Sequence, residues 1–380
     1  MENRTFSERK RMAFVPGTTY AYSDRKPHFL PGEMLNKITQ SVGKIEGENQ
    51  MKISKVLFFV MVLVMVSAAI GCAPAPTAAP AEPAAPAPAA MKTYKDLTVC
   101  YPQLGAESDW RTANSASFKE TAEKLGVKLI FSDAQQKQEN QISAMRSCIQ
   151  QSVDVIALPP VIETGWDAVL QEAKDAGIPV IVVDRSVSAD PSMYASHIGS
   201  DMVIEGERSA LEMNKLLPDG GNVLELSGTT GSGAAVGRAE GFRKALNANI
   251  KILDSQTGNF TRAEGKPVME AFLKKYAGQI DGVFIHNDDM AIGAVEAIKA
   301  AGLKPGDLKI ISIDGTRGGF QLMIDGWVQA DVECNPLLGP QVMDLALKLA
   351  NGEEVIKEAL TDESVYYPDK AAELLPSRQY

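Results

Sequence analysis

A chain of 380 residues, 45% of them hydrophobic, is long enough to bury the cores of two domains. Its formal net charge of -10 argues against nucleic acid as a partner. Four cysteines and three histidines, with no CxxC pair and no Cys/His cluster at metal-ligand spacing, exclude a disulfide framework and a structural zinc site, and no metal or cofactor is expected.

Residues 1–50 are polar, mix both charge signs without periodicity and do not resemble part of a core; they read as an upstream mis-start or a disordered extension. From Met51 the character changes. Lys52 and Lys55 precede a continuous apolar run over residues 56–71, too short for a membrane span of about 20 residues. A short basic region followed by a short apolar one is the pattern of a secretory signal. Ala69, Ile70 and Gly71 then lead into Cys72, as in a lipobox whose cysteine becomes lipidated and N-terminal. An uncleaved membrane anchor is the alternative. Residues 73–94 begin as almost pure Ala and Pro, which favours extended chain over a packed core and suits a spacer holding a domain off the membrane.

Beyond residue 95 strands and helices alternate. Strands are expected at 97–101, 127–131, 153–158, 178–183 and 194–198, with helices at 110–125, 141–151 and 164–176 between them. Ser108 or Asp109 caps the first helix, and Gly126 stands just past its end. A second succession follows, opened by Asp201 as a helix cap. Its strands are expected at 222–226, 250–255, 282–286, 309–314 and 328–334, and a long last helix at 341–351. The segments 153–159 and 282–287 read as equivalent strands of two similar units. The fold class is α/β: two lobes, each a doubly wound parallel sheet with helices on both faces. Cys100 and Cys148 fall in a strand and a helix, and both read as buried free thiols, with a disulfide as the alternative.

Polar groups gather where strands end, which is where open α/β sheets bind ligands. Asp184 and Arg185 follow the apolar run 178–183; a local ion pair capping the strand is the bland reading. Glu107, Ser108, Asp109, Trp110 and Arg111 follow the first strand. Arg238, Phe260, Asn287 and Asp314 follow strands of the second unit. Asp184, Asn287 and Asp314 offer acceptors to hydroxyls, the three arginines offer planar donors, and Trp110 and Phe260 offer flat apolar faces. A sugar, polar at its rim and apolar on its faces, needs this mixture. A core aromatic, a loop anchor and a solvated helix residue are the plain readings of Trp110, Phe260 and Arg238. The glycine-rich 228–233 lacks the Lys-Ser/Thr of a phosphate loop. Asp288 and Asp289 lack calcium-loop spacing, and Asp288 reads as the cap of the helix containing Met290. His197 and His286 have no triad context, so no catalytic residue is expected.

From about residue 95 onward the sequence resembles the periplasmic sugar-binding proteins of the ribose-binding type that serve bacterial ABC importers, and within them the galactofuranose-binding branch. The resemblance is carried by residues 105–111, 135–140, 160–166, 183–186, 260–262, 286–290 and 312–315. It implies sugar contacts from Glu107, Ser108, Trp110 and Arg111, an acid–base grip by Asp184 and Arg185, and contacts from Arg238, Asn287 and Asp314 across the cleft. It implies a ring-stacking place for Phe260 and a polar hinge place for Glu333. Asp109 stands where that branch has a small Gly, and Pro159 where ribose binders carry an Asn, which weakens ribose as the ligand. The resemblance also implies lobes of 95–198 plus 335–360 and 199–334 plus 361–380. A lipid-anchored monomer outside the cytoplasm would deliver a monosaccharide to a permease, or report it to a chemoreceptor. A sugar-responsive transcription regulator shares the fold but needs a DNA-reading domain. A glycosidase would use the clustered carboxylates.

Overall fold

The computed structural model describes residues 91–380. The segment 1–50, the signal at 51–72 with Cys72, and the Ala/Pro spacer up to residue 90 lie outside the described residues.

The first succession comprises β1 (Thr98–Gln103), α1 (Asp109–Leu125), β2 (Lys128–Asp133), α2 (Gln138–Gln150), β3 (Val155–Leu158), α3 (Asp167–Asp175), β4 (Val180–Val183) and β5 (Ser196–Gly199). The second comprises α4 (Met202–Leu216), β6 (Gly221–Ser227), α5 (Gly233–Ala245), β7 (Ile250–Thr257), α6 (Arg262–Lys275), β8 (Gly282–Ile285), α7 (Asp288–Ala300), β9 (Lys309–Asp314), α8 (Arg317–Ile324) and β10 (Ala330–Glu333). The chain ends with α9 (Gly339–Ala350), β11 (Glu358–Leu360), β12 (Val365–Tyr366) and α10 (Pro368–Leu374).

The strands form two six-stranded sheets, ordered β11-β5-β4-β3-β1-β2 and β12-β10-β9-β8-β6-β7. The first sheet is parallel throughout, and in the second only β12 runs antiparallel, against β10. β3 and β8 hold the same place in the two orders, as do β4 and β9. The chain passes between the sheets after β5, after β10, and again between β11 and β12. We call the body carrying the first sheet the first lobe and the other the second lobe.

Each sheet is buried on both faces, so β3, β4 and β8 are apolar at every position. In β1, Val99 and Tyr101 face the core shared with Phe118 and Val342, while Cys100 faces the one shared with Met145 and Trp166. That alternation corrects the expectation for the cysteines. Cys100 points toward α2, which presents Cys148, and the two form a disulfide. Asp288 is a second correction. Asn287, not Asp288, caps α7, its Oδ1 accepting from Met290 N at 3.0 Å. Asp288 is instead fully buried and accepts hydrogen bonds from Ser312 and Thr316.

Helices α8 and α10 were not expected. The C-terminal tail packs against the second lobe through Arg378. Its guanidinium lies over Phe320, Tyr366 and Tyr380, donates from Nε to the Gly315 carbonyl at 2.6 Å, and pairs with Glu333 at 2.9 Å. Among the described residues no helix is long and apolar enough to cross a membrane.

Candidate functional site

Ser108 has extended backbone, and its Oγ accepts from Arg111 N at 3.1 Å, so α1 begins at the cleft with Trp110 and Arg111 in its first turn. Arg111 donates to Glu107 (Nε, 3.2 Å) and to Asp184 (Nη2, 2.6 Å). Arg185 donates from Nη2 to the same Glu107 oxygen at 3.1 Å. Glu107, Arg111, Asp184 and Arg185 thus form a charge network, each side chain no more than 5% exposed. Asp184 holds it in shape from a left-handed backbone, φ 65°. That conformation is uncommon outside glycine, although Asn and Asp adopt it more readily than most residues. A side chain on Gly199 would run into the Asp184 backbone, so glycine lets β5 pass this close.

The second lobe answers with Arg238 on α5. It donates to Glu205 (Nε, 2.7 Å) and to the His286 carbonyl (Nη1, 2.5 Å), and its Nη2 stands 3.7 Å from Asp314. Phe260, buried and also left-handed at φ 62°, presents its ring to two arginines, with the Arg185 guanidinium 4.9 Å and that of Arg238 5.8 Å from its centre. Gly228 makes room for that ring, because a Cβ there would overlap it. Asn287 lies alongside, donating from Nδ2 to the Phe260 carbonyl at 3.2 Å. Trp110 crosses from the first lobe and donates from Nε1 to the Cys334 carbonyl at 2.6 Å.

Glu107, Ser108, Trp110, Arg111, Asp184, Arg185, Arg238, Phe260, Asn287 and Asp314 therefore line one cleft between the lobes. Asp109 and Glu333 do not. The Asp109 side chain is 64% exposed and pairs with Arg262 at 3.1 Å. Glu333 turns away toward Arg378 and Tyr380. Its neighbour Cys334 lines the cleft instead, with Ala234. At a strand end one residue of register decides which side chain faces inward. Glu205 was missed because an acid on a helix ordinarily reads as solvated.

Three cleft residues carry buried atoms without a partner: Glu107 Oε2, Arg111 Nη1 and Arg185 Nε. Burial, reinforced by Arg111, lowers the pKa of Arg185 to about 10. Burial drives Asp314 well above the usual carboxylate range, with Arg238 opposing, and it raises Glu205 in the same way. The arrangement suits a neutral ligand with many hydroxyls: fixed donors and acceptors interleaved, an aromatic face, and charges already balanced within the protein.

Comparison with known proteins agrees with this geometry. Residues 102–354 match the model of the periplasmic binding protein domain. The chain is 44% identical over 299 residues to the galactofuranose-binding protein YtfQ of Escherichia coli (strain K12), covering 77% of this chain and 94% of that protein. A Mycobacterium smegmatis structure in complex with β-D-fucofuranose is 52% identical, with a TM-score of 0.73 over 75% of this chain and 95% of that one. The periplasmic binding component of the arabinose ABC transporter from Shewanella sp. ANA-3, bound to α- and β-L-arabinofuranose, is 46% identical, with a TM-score of 0.72 over 74% and 95%. The chain thus belongs to the periplasmic binding protein family, and it is a solute-binding protein rather than an enzyme.

Proposed function

We propose that the protein is an extracytoplasmic lipoprotein that captures a monosaccharide in furanose form and delivers it to the permease of an ABC importer. The observation that carries this reading is the set of unpaired buried atoms on Glu107, Arg111 and Arg185. Each such atom costs about 1–3 kcal/mol if left unmet. A ligand whose hydroxyls both donate and accept relieves all three, whereas a phosphate or carboxylate would add charge to a cleft in which three acids already face three arginines. The furanose form is supported by the sugars named in the relatives.

In this reading Glu107, Arg111, Asp184, Arg185 and Arg238 hold hydroxyls, with Ser108, Asn287 and Asp314 beside them. Trp110 and Phe260 cover the ring faces. The lobes, 95–198 plus 335–360 and 199–334 plus 361–380, turn about the three crossings and close as a monomer. The disulfide fits an oxidising compartment. The membrane is reached through a lipid on Cys72 and the Ala/Pro spacer.

Calorimetry with L-arabinose, D-fucose, D-galactose, D-fructose and D-ribose tests the ligand class. Saturable binding is expected for at least one furanose-forming sugar, with ribose weaker, and silence from all five refutes the reading. Intact-mass analysis of membrane-extracted protein tests the anchor. A mature chain beginning at lipidated Cys72 is expected, and one retaining Phe14 or Tyr20 refutes it.

A further inference from the structure

The first N–H groups of an α-helix have no partner within it. In α1, Ser108 Oγ serves the N–H of Arg111, and the N–H of Asp109 needs a partner from elsewhere. It is met from the opposite lobe, where Asp289 Oδ2 accepts from Asp109 N at 2.7 Å. The other oxygen of Asp289 takes Arg262 Nη2 at 2.9 Å, and the same nitrogen reaches across to Asp109 Oδ2 at 3.1 Å. A buried carboxylate thus sits on the positive end of a helix belonging to the other lobe, clamped by a guanidinium that touches both lobes. None of the three residues lines the cleft, although Ser108, Trp110 and Asn287 beside them do. When the lobes part, the Asp289–Asp109 bond and the crossing arm of Arg262 are lost together. The Asp289–Arg262 pair, within one lobe, is kept.

We propose that Asp109, Asp289 and Arg262 are positioning residues that form an interlobe latch, setting how long the lobes stay shut over the sugar without touching it. The latch rests on the sugar-binding reading for its consequence but not for its geometry, so the two are tested separately. One dye on each lobe reports opening by single-molecule fluorescence transfer in the full-length protein, first without sugar and then with L-arabinose or D-fucose. Asp289→Ala is expected to shorten the closed dwell time about tenfold, the factor an ordinary charge-assisted hydrogen bond carries, with or without sugar. Asp289→Asn keeps an acceptor for Asp109 N but loses the charge, and should fall between wild type and Asp289→Ala. Arg262→Gln should shorten the dwell less. With sugar bound, the dissociation rate should rise by the same factor for both sugars. Unchanged dwell times in Asp289→Ala, in protein whose melting temperature shows it folded, overturn the latch. A change in the ratio of affinities for the two sugars overturns the claim that it does not touch them. If none of the five sugars closes the wild-type protein, the ligand reading fails, while the sugar-free dwell times still decide the latch.

Discussion

β4 and β9 hold the same place in their sheets, and each leads into an aspartate with positive φ, Asp184 at 65° and Asp314 at 128°. There the likeness stops. Asp184 is gripped by Arg111 at 2.6 Å within a network assembled wholly in the first lobe. Asp314 has its nearest guanidinium, Arg238, at 3.7 Å, because Arg238 is committed to Glu205, and burial drives the Asp314 carboxyl well above its ordinary range. The first lobe is a preformed charged platform, further pinned by the disulfide between β1 and α2. The second lobe supplies an aromatic face, a single arginine and an acid that carries its proton easily. Two lobes with one topology thus divide the work, one orienting the ligand and the other covering it.

The largest expected effect falls on the one strong charge of the covering lobe. Arg238→Ala leaves Glu205 buried without its partner and should cost about 3–5 kcal/mol of stability, read by denaturant unfolding, together with most of the sugar binding. Asp184→Asn keeps the size and tolerates the left-handed backbone, but strips the counter-charge from Arg111. Calorimetry should show binding weakened roughly 100-fold with a smaller loss of stability. Equal losses of stability in these two variants would break the division into platform and cover.

A third prediction concerns the crossings. Glu363, between β11 and β12, accepts from Ser200 Oγ, Asn335 N (2.9 Å) and Thr361 Oγ1 (2.9 Å), and so ties the crossings together. Burial, helped by Glu205, pushes its carboxyl from 4.5 up to about 7. An acid raised in the folded state stabilises the fold below its ordinary pKa, and that contribution is lost as pH rises through about 7. Melting temperature should therefore fall between pH 5 and 7.5 by the equivalent of on the order of 2 kcal/mol, and Glu363→Gln should flatten the fall. The smallest effect is the sharpest for the comparison. Asp314→Asn removes a charge that no guanidinium meets closer than 3.7 Å and should change affinity by less than about tenfold, against the far larger loss in Asp184→Asn. Matching losses in the two would mean that Asp314 works as a charge after all.

Much of this was legible because it is written in periodicity. The apolar run 178–183 can only be a strand buried on both faces, and whatever follows it must sit at a sheet tip, so Asp184 and Arg185 were found. Gly318 and Gly319, poor helix formers, mask the periodicity of α8, and Gly319 is there because Asp288 and Asp331 leave no room for a Cβ. β11 and β12, three and two residues long, are too short for any pattern. Asp109 and Glu333 stand off the cleft for one reason. A motif gives the neighbourhood of a cleft, while the face a side chain takes is set by helix start and strand register, to a single residue. The pairing of Cys100 with Cys148, and of Glu205 with Arg238, depends on contacts between elements that no local pattern encodes.

Cys334 has a practical meaning. Among the described residues it is the one cysteine outside a disulfide, it lines the cleft, and burial drives its thiol well above its ordinary pKa. Its Sγ lies 3.3 Å from Ser200 Oγ, beside the crossings between the lobes. The rate at which an added maleimide consumes this thiol is therefore expected to report the loosening of the crossings that accompanies opening.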